Sequence, residues 1–556
     1  MAHTEEELGN LLFPEINETI DCLEKKYPPR QRKEDAEVTR FAPSPTGFLH
    51  TGSLFTALVS FLAAKTTGGT FYIRLEDTDT KRKIENSETS FLNELNTFKI
   101  IADEGIGKGG EYGPYKQSER IKIYRTVIKE LIKKGMAYVC FCTPKELEEI
   151  RDVQKANKQI TGYYGNYAKC RYLSIDEVMK RIKNNEKYVI RFRSHGNHEN
   201  KITLADEIRG NLNLSENDID IIILKNDGLP TYHFAHVVDD HFMRTTTVIR
   251  GEEWLASFPI HAQLFKSLTW EMPKYVHLPL ISKIDNGKKR KLSKRLDKEA
   301  TVSFFLENGY PVEAVLAYLL STINYTFEKW VFDNRFQEIF SFPFSMKKIN
   351  LDSTLFNIKK LNFFSREFLS SISAEEITAR ALSYGEKYDK RLANLIKTDK
   401  DFFRKIMNIE REKENPRKDY VTFKDIYPMI SFFYPQEYQK IISNVHEEFD
   451  KKIDKKVTIN ILDDFRNENN YQSQEDEWYE LMKKIAKKYN FALQNAEYKA
   501  KPDLFKGNMG DFINIIRIAI TGKKISPSLY CILNILGKKE VDNRIRKTIE
   551  ILNKFI

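Results

Sequence analysis

The chain has 556 residues, 41% of them hydrophobic, and a formal charge of +10 with a sequence pI near 8.9; it is too long for one core, and its basic balance favours a polyanionic partner. No apolar run approaches the roughly 20 residues that span a bilayer, and the acid-rich start (Glu5, Glu6, Glu7) is unlike a secretory or transit peptide. Five cysteines in so long a chain make no disulfide framework, which fits a reducing, cytoplasmic setting.

Residues 1–36 read as a polar extension, in which Ile16, Ile20 and Leu23 recur at helical spacing until Pro28-Pro29 ends the element. Val38–Ala42 is a short apolar strand. Pro43, Pro45 and Gly47 then make a turn, and Leu54, Leu58, Phe61 and Leu62 recur every three or four positions, which predicts a helix. Strand, Pro/Gly turn and helix open a doubly wound α/β domain, whose ligands sit where the turn meets the helix N-terminus. Gly52 permits the close backbone approach a phosphate needs, and His50 is placed to hydrogen-bond a phosphate oxygen. Thr70–Leu75 alternates like a strand and delivers Glu76, Asp77 and Asp79 at its C-terminal end, where parallel sheets bind ligands. On spacing alone those acids are equally a solvated turn. Gly113–Arg120 (GPYKQSER) reads as a helix start.

From about Tyr138 to Asp227 the chain turns charged and irregular, with strand-like runs at Lys187–Arg193 and Ile221–Leu224. Cys140, Cys142 and Cys170 lie here. Three converging thiolates repel one another unless a cation joins them, so Zn²⁺ is expected, with buried free thiols as the alternative. Farther on, His236, Asp239, Asp240 and His241 also have the composition of a metal site. Lys288–Lys298 holds seven basic residues in eleven, which by composition is a solvated or nuclear-localisation-like patch. The order Lys291-Leu292-Ser293-Lys294-Arg295 after Asn286-Gly287 is far more specific. Beyond residue 300 the periodicity is helical, as in Val312–Leu320. Basic helices with interleaved aromatics follow, such as Lys387–Lys413, which suit RNA contact and ordinary packing alike.

His50-Thr51-Gly52-Ser53 and Lys291–Arg295 together resemble the paired HIGH and KMSKS motifs of class I aminoacyl-tRNA synthetases. The flanking APSPTGFLH and IRLEDTD (Ile73–Asp79) narrow the resemblance to glutamyl-tRNA synthetase, over most of the chain. The resemblance implies an α/β fold: a Rossmann-like doubly wound parallel-sheet catalytic domain, an inserted acceptor-binding domain and an all-α C-terminal anticodon-binding region of bacterial type, with Arg517–Gly522 and Leu536–Lys539 matching the last. The expected boundaries are 1–36 for the extension, 37–137 and 227–300 for the catalytic halves, 138–226 for the insert, 301–365 for a stem-contact region and 366–556 for the anticodon-binding domain. Family members usually start close to the first strand, so the extension reads as a departure.

The implied activity is ATP-dependent joining of L-glutamate to the 3′ end of tRNA(Glu) through glutamyl-adenylate, by a cytoplasmic monomer, with tRNA(Gln) a second candidate acceptor. By resemblance, His50, Gly52, Lys291 and Lys294 are catalytic. Arg40, Ser44, Glu76, Tyr232 and Arg250 bind glutamate, with Glu76 on its α-ammonium and the two arginines on its side-chain carboxylate. Two planar guanidiniums around one carboxylate discriminate sharply against a neutral amide. ATP falls to His50, Gly52, Ser53, Glu253, Lys291, Lys294 and Arg295, on a mobile loop that closes over the phosphates, and Mg²⁺ arrives with ATP. Some relatives carry zinc in the insert, which here implies Cys140, Cys142 and Cys170 with Tyr172, or Tyr167, as fourth ligand. The family uses the segment of His236 to His241 for glutamate and ATP, not for a metal. Three rival readings remain. Glutaminyl-tRNA synthetases usually carry PEPNG- and DDT-type variants of these motifs; a truncated paralogue lacks the anticodon domain and the lysine motif; a catalytically idle tRNA-binding protein would not need His50, Gly52, Lys291 and Lys294 intact.

Overall fold

The computed structural model describes residues 3–45, 47–79, 87–334, 336, 338–352, 354–471 and 473–556; Thr46, in the expected Pro/Gly turn, lies outside the described residues. The chain divides into two units, residues 1–306 with 312–361, and residues 307–311 with 362–556.

In the first unit, β1 (Val38–Phe41), β2 (Thr70–Ile73) and β3 (Glu104–Gly105) form a parallel ladder in that order, with Arg40 opposite Tyr72. A second parallel ladder joins β9 (Thr247–Gly251) to β10 (Lys274–Leu278). It lies beside β1, where the Thr246 N–H donates to the Val38 carbonyl at 3.0 Å. Helix α3 (Thr51–Thr67) crosses from β1 to β2 and packs on both. It is apolar nearly all round, with Leu54, Leu58 and Leu62 fully buried, as a helix inside an α/β layer must be. This is the doubly wound α/β domain that the strand–turn–helix opening anticipates.

Between β3 and β9 the chain builds antiparallel structure. Strands β4 (Ala137–Cys140), β5 (Val189–Phe192) and β8 (Ile222–Leu224) form one sheet, and β6 (Lys201–Asp206) and β7 (Gly210–Ser215) a hairpin. Helix α5 (Ile121–Lys133) precedes this segment and α8 (Tyr232–Phe242) follows it. The basic motif is half strand: β11 (Ser282–Asp285) pairs with β12 (Lys288–Lys291) through an Asn286-Gly287 turn. Both turn residues have positive φ, at 48° and 73°, which an Asn-Gly pair tolerates best in a two-residue hairpin. The motif expected to be a loop is therefore anchored at its N-terminal end.

The extension folds onto this unit. α1 (Glu5–Leu12), capped by Thr4, and α2 (Ile20–Lys26), capped by Thr19, both pack on α5. Ile16 lies between the two helices rather than on one. Leu8, Phe13, Ile16, Leu23 and Tyr27 join the same core as Tyr124, Ile128 and Leu131.

The second unit contains no β-strand among its described residues. Its helices include Ala374–Tyr388, Lys390–Thr398, Lys400–Met407, Lys455–Glu468, Met509–Thr521 and Leu529–Asn553, the last broken at Gly537 (φ 74°).

Candidate active site

A cleft of about 1220 Å³ opens over the C-terminal ends of β1 and β9. Its lining includes Arg40, Ser44, His50, Gly52, Ser53, Glu76, Tyr232, Arg250, Glu253, Lys291 and Lys294, so the two distant motifs meet in one cavity of one unit. Arg295 and Tyr172 are exposed and lie outside that lining.

His50 is the N-cap of α3. Its Nδ1 accepts from the Gly52 N–H at 2.9 Å, and its Nε2 lies 3.1 Å from the Leu292 carbonyl. Those partners fix one tautomer, with the proton on Nε2. A Cβ on residue 52 would stand 3.1 Å from His50 Nδ1, so glycine lets the ring close over the first turn. Burial, helped by the Lys294 ammonium, holds the imidazole down at a pKa of about 4, and it is neutral near pH 7. Leu292, buried beneath, ties the basic motif to His50. Arg290 and the Ser293 N–H are gathered by Asp297 at 2.6 and 2.9 Å. Lys291 Nζ rests on Glu253 Oε1 at 2.6 Å, and Lys294 Nζ on the Phe48 carbonyl.

Beneath the cleft floor lies a buried charge network. Asp240 of α8 takes Arg74 Nη1 at 2.7 Å, Arg40 Nε at 3.2 Å and His236 Nδ1 at 2.9 Å. Asp239 takes Arg120 Nε at 2.6 Å, Gln117 Nε2 at 2.9 Å and the Tyr124 hydroxyl at 2.8 Å. Glu76 accepts from Arg74 Nη2 at 3.1 Å. Three arginines thus face three carboxylates, and each charge has a partner, as buried ions require. The GPYKQSER segment supplies Gln117 and Arg120, so its role is to hold α8 against the sheet. His236, Asp239, Asp240 and His241 are engaged by arginines, by Tyr275 and by Glu24, not arranged around a cation.

Arg250, at the end of β9 and 5% exposed, is different. Its Nε donates to His277 Nε2 at 2.9 Å, its Nη1 to His261 Nδ1 at 3.0 Å, and its Nη2 to the Trp254 carbonyl at 3.4 Å. Among the described residues no carboxylate forms an ion pair with it. A buried cation met only by neutral acceptors is a site prepared for an anion. Arg40, by contrast, is already paired with Asp240. Tyr232 and Trp254 close the wall at a ring separation of 4.4 Å.

The three thiols converge: the Sγ atoms of Cys140, Cys142 and Cys170 all lie within 4.8 Å of one another, with Cys142 and Cys170 3.6 Å apart. A tetrahedral ion with Zn–S bonds of about 2.3 Å needs sulfurs about 3.8 Å apart, so the donor set fits zinc. The thiol contacts push Cys140 down toward thiolate and Cys142 up. The phenol beside them is neither Tyr172, which is 69% exposed, nor Tyr167, whose hydroxyl donates to Gln159. It is Tyr163, 3.2 Å from Cys142 Sγ. Sequence adjacency to Cys170 favoured Tyr172, but the short 3-10 turn through Lys169–Tyr172 carries that side chain outward.

The family profile described as "tRNA synthetases class I (E and Q), catalytic domain" matches residues 37–362, and "Anticodon binding domain" matches residues 392–549. A glutamate–tRNA ligase of Acetivibrio thermocellus is 43% identical over 97% of this chain and 99% of its own length. The chain belongs to the glutamate–tRNA ligase family. A second such ligase, from Clostridium beijerinckii, is 39% identical over 98% of this chain and 100% of its own. The crystal structure of a glutamate tRNA ligase from Elizabethkingia meningosepticum, in complex with its amino acid, has a TM-score of 0.71 at 28% identity, covering 93% of this chain and 99% of that one. The two profiles give this chain a class I synthetase catalytic domain and an anticodon-binding domain, which fall on its α/β part and its helical part. The 3% of this chain left uncovered by the Acetivibrio ligase is shorter than the N-terminal extension, so part of the extension is shared with that relative and is no departure from it.

His261, His277 and Trp254 had no motif to announce them. Their only signal was a density of histidines and aromatics between residues 232 and 277.

Proposed function

We propose that this chain joins L-glutamate to the 3′ end of tRNA(Glu) in the cytoplasm, as a monomer, with MgATP as co-substrate. In the first step the α-carboxylate of glutamate attacks the α-phosphorus of ATP, forming glutamyl-adenylate and releasing pyrophosphate. In the second, the terminal ribose hydroxyl of the tRNA takes the acyl group and AMP leaves. Neither step needs a covalent enzyme intermediate, so the protein acts by positioning and charge stabilisation.

The observation that supports this reading is Arg250: a buried guanidinium with no carboxylate partner among the described residues, in the cleft that also holds His50, Lys291 and Lys294. It favours the side-chain acid of glutamate over the amide of glutamine, for which its charge would stay uncompensated. Glu76, held by Arg74, receives the α-ammonium; Ser44 and Tyr232 line the same end. Neutral His50 offers its Nε2 proton to a phosphate oxygen on release from Leu292. Lys291 and Lys294 exchange Glu253 and the Phe48 carbonyl for the phosphates and neutralise the departing pyrophosphate. Residues 138–226 grip the acceptor end, and the helical region from 366 reads the anticodon.

Cys140, Cys142 and Cys170, with Tyr163 beside them, would hold Zn²⁺, which would brace the β4 end against the 3-10 turn. Metal analysis is expected to return about one zinc per chain, lost in Cys142→Ser. The function is tested by aminoacylation of purified tRNA(Glu) and tRNA(Gln), each with glutamate and with glutamine. Charging of tRNA(Glu) with glutamate and none with glutamine is the expected result; glutamine charging alone would overturn it. The tRNA(Gln) arm decides whether both acceptors are served.

A further inference from the structure

Arg250 sits at the junction of two histidine relays that the catalytic scheme does not use. On one side its Nε donates to His277 Nε2 at 2.9 Å, and His277 Nδ1 lies 2.7 Å from Asp206 Oδ2. Asp206 ends strand β6 of the inserted hairpin and is itself fixed by the N–H groups of Ile208 and Arg209, at 3.1 and 2.9 Å. On the other side Arg250 Nη1 donates to His261 Nδ1 at 3.0 Å, and His261 Nε2 lies 3.0 Å from His233 Nδ1. An imidazole that accepts at one nitrogen must carry its proton on the other. His277 is therefore the Nδ1–H tautomer and His261 the Nε2–H tautomer, opposite choices at the two positions. Both rings are fully buried, and burial, reinforced by the Arg250 charge, holds both below the ordinary imidazole value.

We propose that His277 and His261 are positioning residues that aim Arg250 by accepting from its Nε and Nη1, with Asp206 and His233 fixing their tautomers, and so set the preference for an acidic over an amide side chain. The inference rests on the proposed glutamate reading and deepens it. Five N–H groups radiate from a guanidinium. The two imidazoles and the Trp254 carbonyl occupy three, leaving one N–H on Nη1 and one on Nη2 for the oxygens of a carboxylate. Because both imidazoles are neutral, they orient the guanidinium without cancelling its charge. Arg209, donating to the His277 carbonyl at 2.8 Å and pairing with Glu252 at 2.7 Å, ties the hairpin to the same wall.

The opposite tautomers give a crossed test. A glutamine amide reaches the place of Nε2, and an asparagine amide the place of Nδ1. His277→Gln and His261→Asn can keep the acceptor toward Arg250; His277→Asn and His261→Gln lose it. In glutamate activation with tRNA(Glu) present, the second pair is expected to raise KM for glutamate by about tenfold or more and to narrow the preference for glutamate over glutamine. KM for ATP should stay near that of the parent, and the first pair should recover most of the loss. The same amide proving better at both positions, all four variants being equally impaired, or an unchanged KM for glutamate would overturn the inference. A parent protein that does not activate glutamate would instead overturn the proposed function.

Discussion

Lys294 carries the clearest test at the scale of a single residue. Its ammonium rests on the Phe48 carbonyl, in the lining of the cleft that also holds His50. An exposed contact of this kind contributes little to the fold, whereas a leaving pyrophosphate depends on cations placed in advance. Lys294→Ala is expected to slow glutamyl-adenylate formation by about 10²-fold or more while leaving tRNA affinity nearly intact. Unchanged adenylate formation, read in single-turnover experiments, would reject its role. Individual side chains also mark where the sequence stopped being informative. His50, Gly52, Lys291 and Lys294 sit in short motifs whose order alone singles them out, and the cleft brings all four together. Tyr163 reaches the thiols from seven residues before Cys170, and His277 reaches Arg250 from the neighbouring strand. Register between β9 and β10 brings that pair together, and register is not written in either segment separately.

Among the elements, α8 has the most at stake, because it presents Tyr232 to the cleft and His236, Asp239 and Asp240 to the buried network beneath it. The extension holds its far end. Glu24 of α2 accepts from His241 Nε2 at 2.6 Å and Arg244 Nη2 at 2.5 Å, while Arg30 donates to the Met243 carbonyl at 3.0 Å and pairs with Glu104 at 2.7 Å. His241 is also stacked on Trp270, with ring centroids 3.9 Å apart. Glu24→Ala leaves His241 Nε2 without its acceptor and Arg244 with the Tyr27 carbonyl alone, and is expected to destabilise the protein by about 1–3 kcal/mol; an unchanged urea midpoint would show the clamp to be idle. The helical spacing of Ile20 and Leu23 made α2 legible. Its purpose was not, since Glu24 and Arg30 look like any surface charges until α8 is packed against them. Conversely, β1, α3 and β2 were legible almost to the residue, because an apolar run, a Pro/Gly turn and a 3.6-residue period are local signals.

For the molecule as a whole, the histidines are unevenly placed. Of the ten in the chain, only His446 lies in the helical second unit. In the first, burial holds His50 and His233 at about 4 and His236 at about 3. An unfolded imidazole binds its proton near 6.5, so below that pH the unfolded chain takes up protons that the folded one refuses. Stability therefore rises with pH across the interval from about 4 to 6.5 and is lost on acidification through it. Buried Asp240, held well below the ordinary carboxylate range against the cost of burial by Arg40 and Arg74, acts in the same direction. The melting temperature of the catalytic unit is expected to fall steadily between pH 6.5 and pH 4.5, and more steeply than that of the helical unit in the same calorimetric scan; parallel slopes would contradict this. The resting places of the two motif lysines have a consequence of another kind. Lys291 rests on Glu253 and Lys294 on the Phe48 carbonyl, so an incoming phosphate must displace a protein oxygen before it gains either cation. Any phosphate bound there is gained by trading partners, and only what it gains beyond the displaced contacts contributes to its affinity.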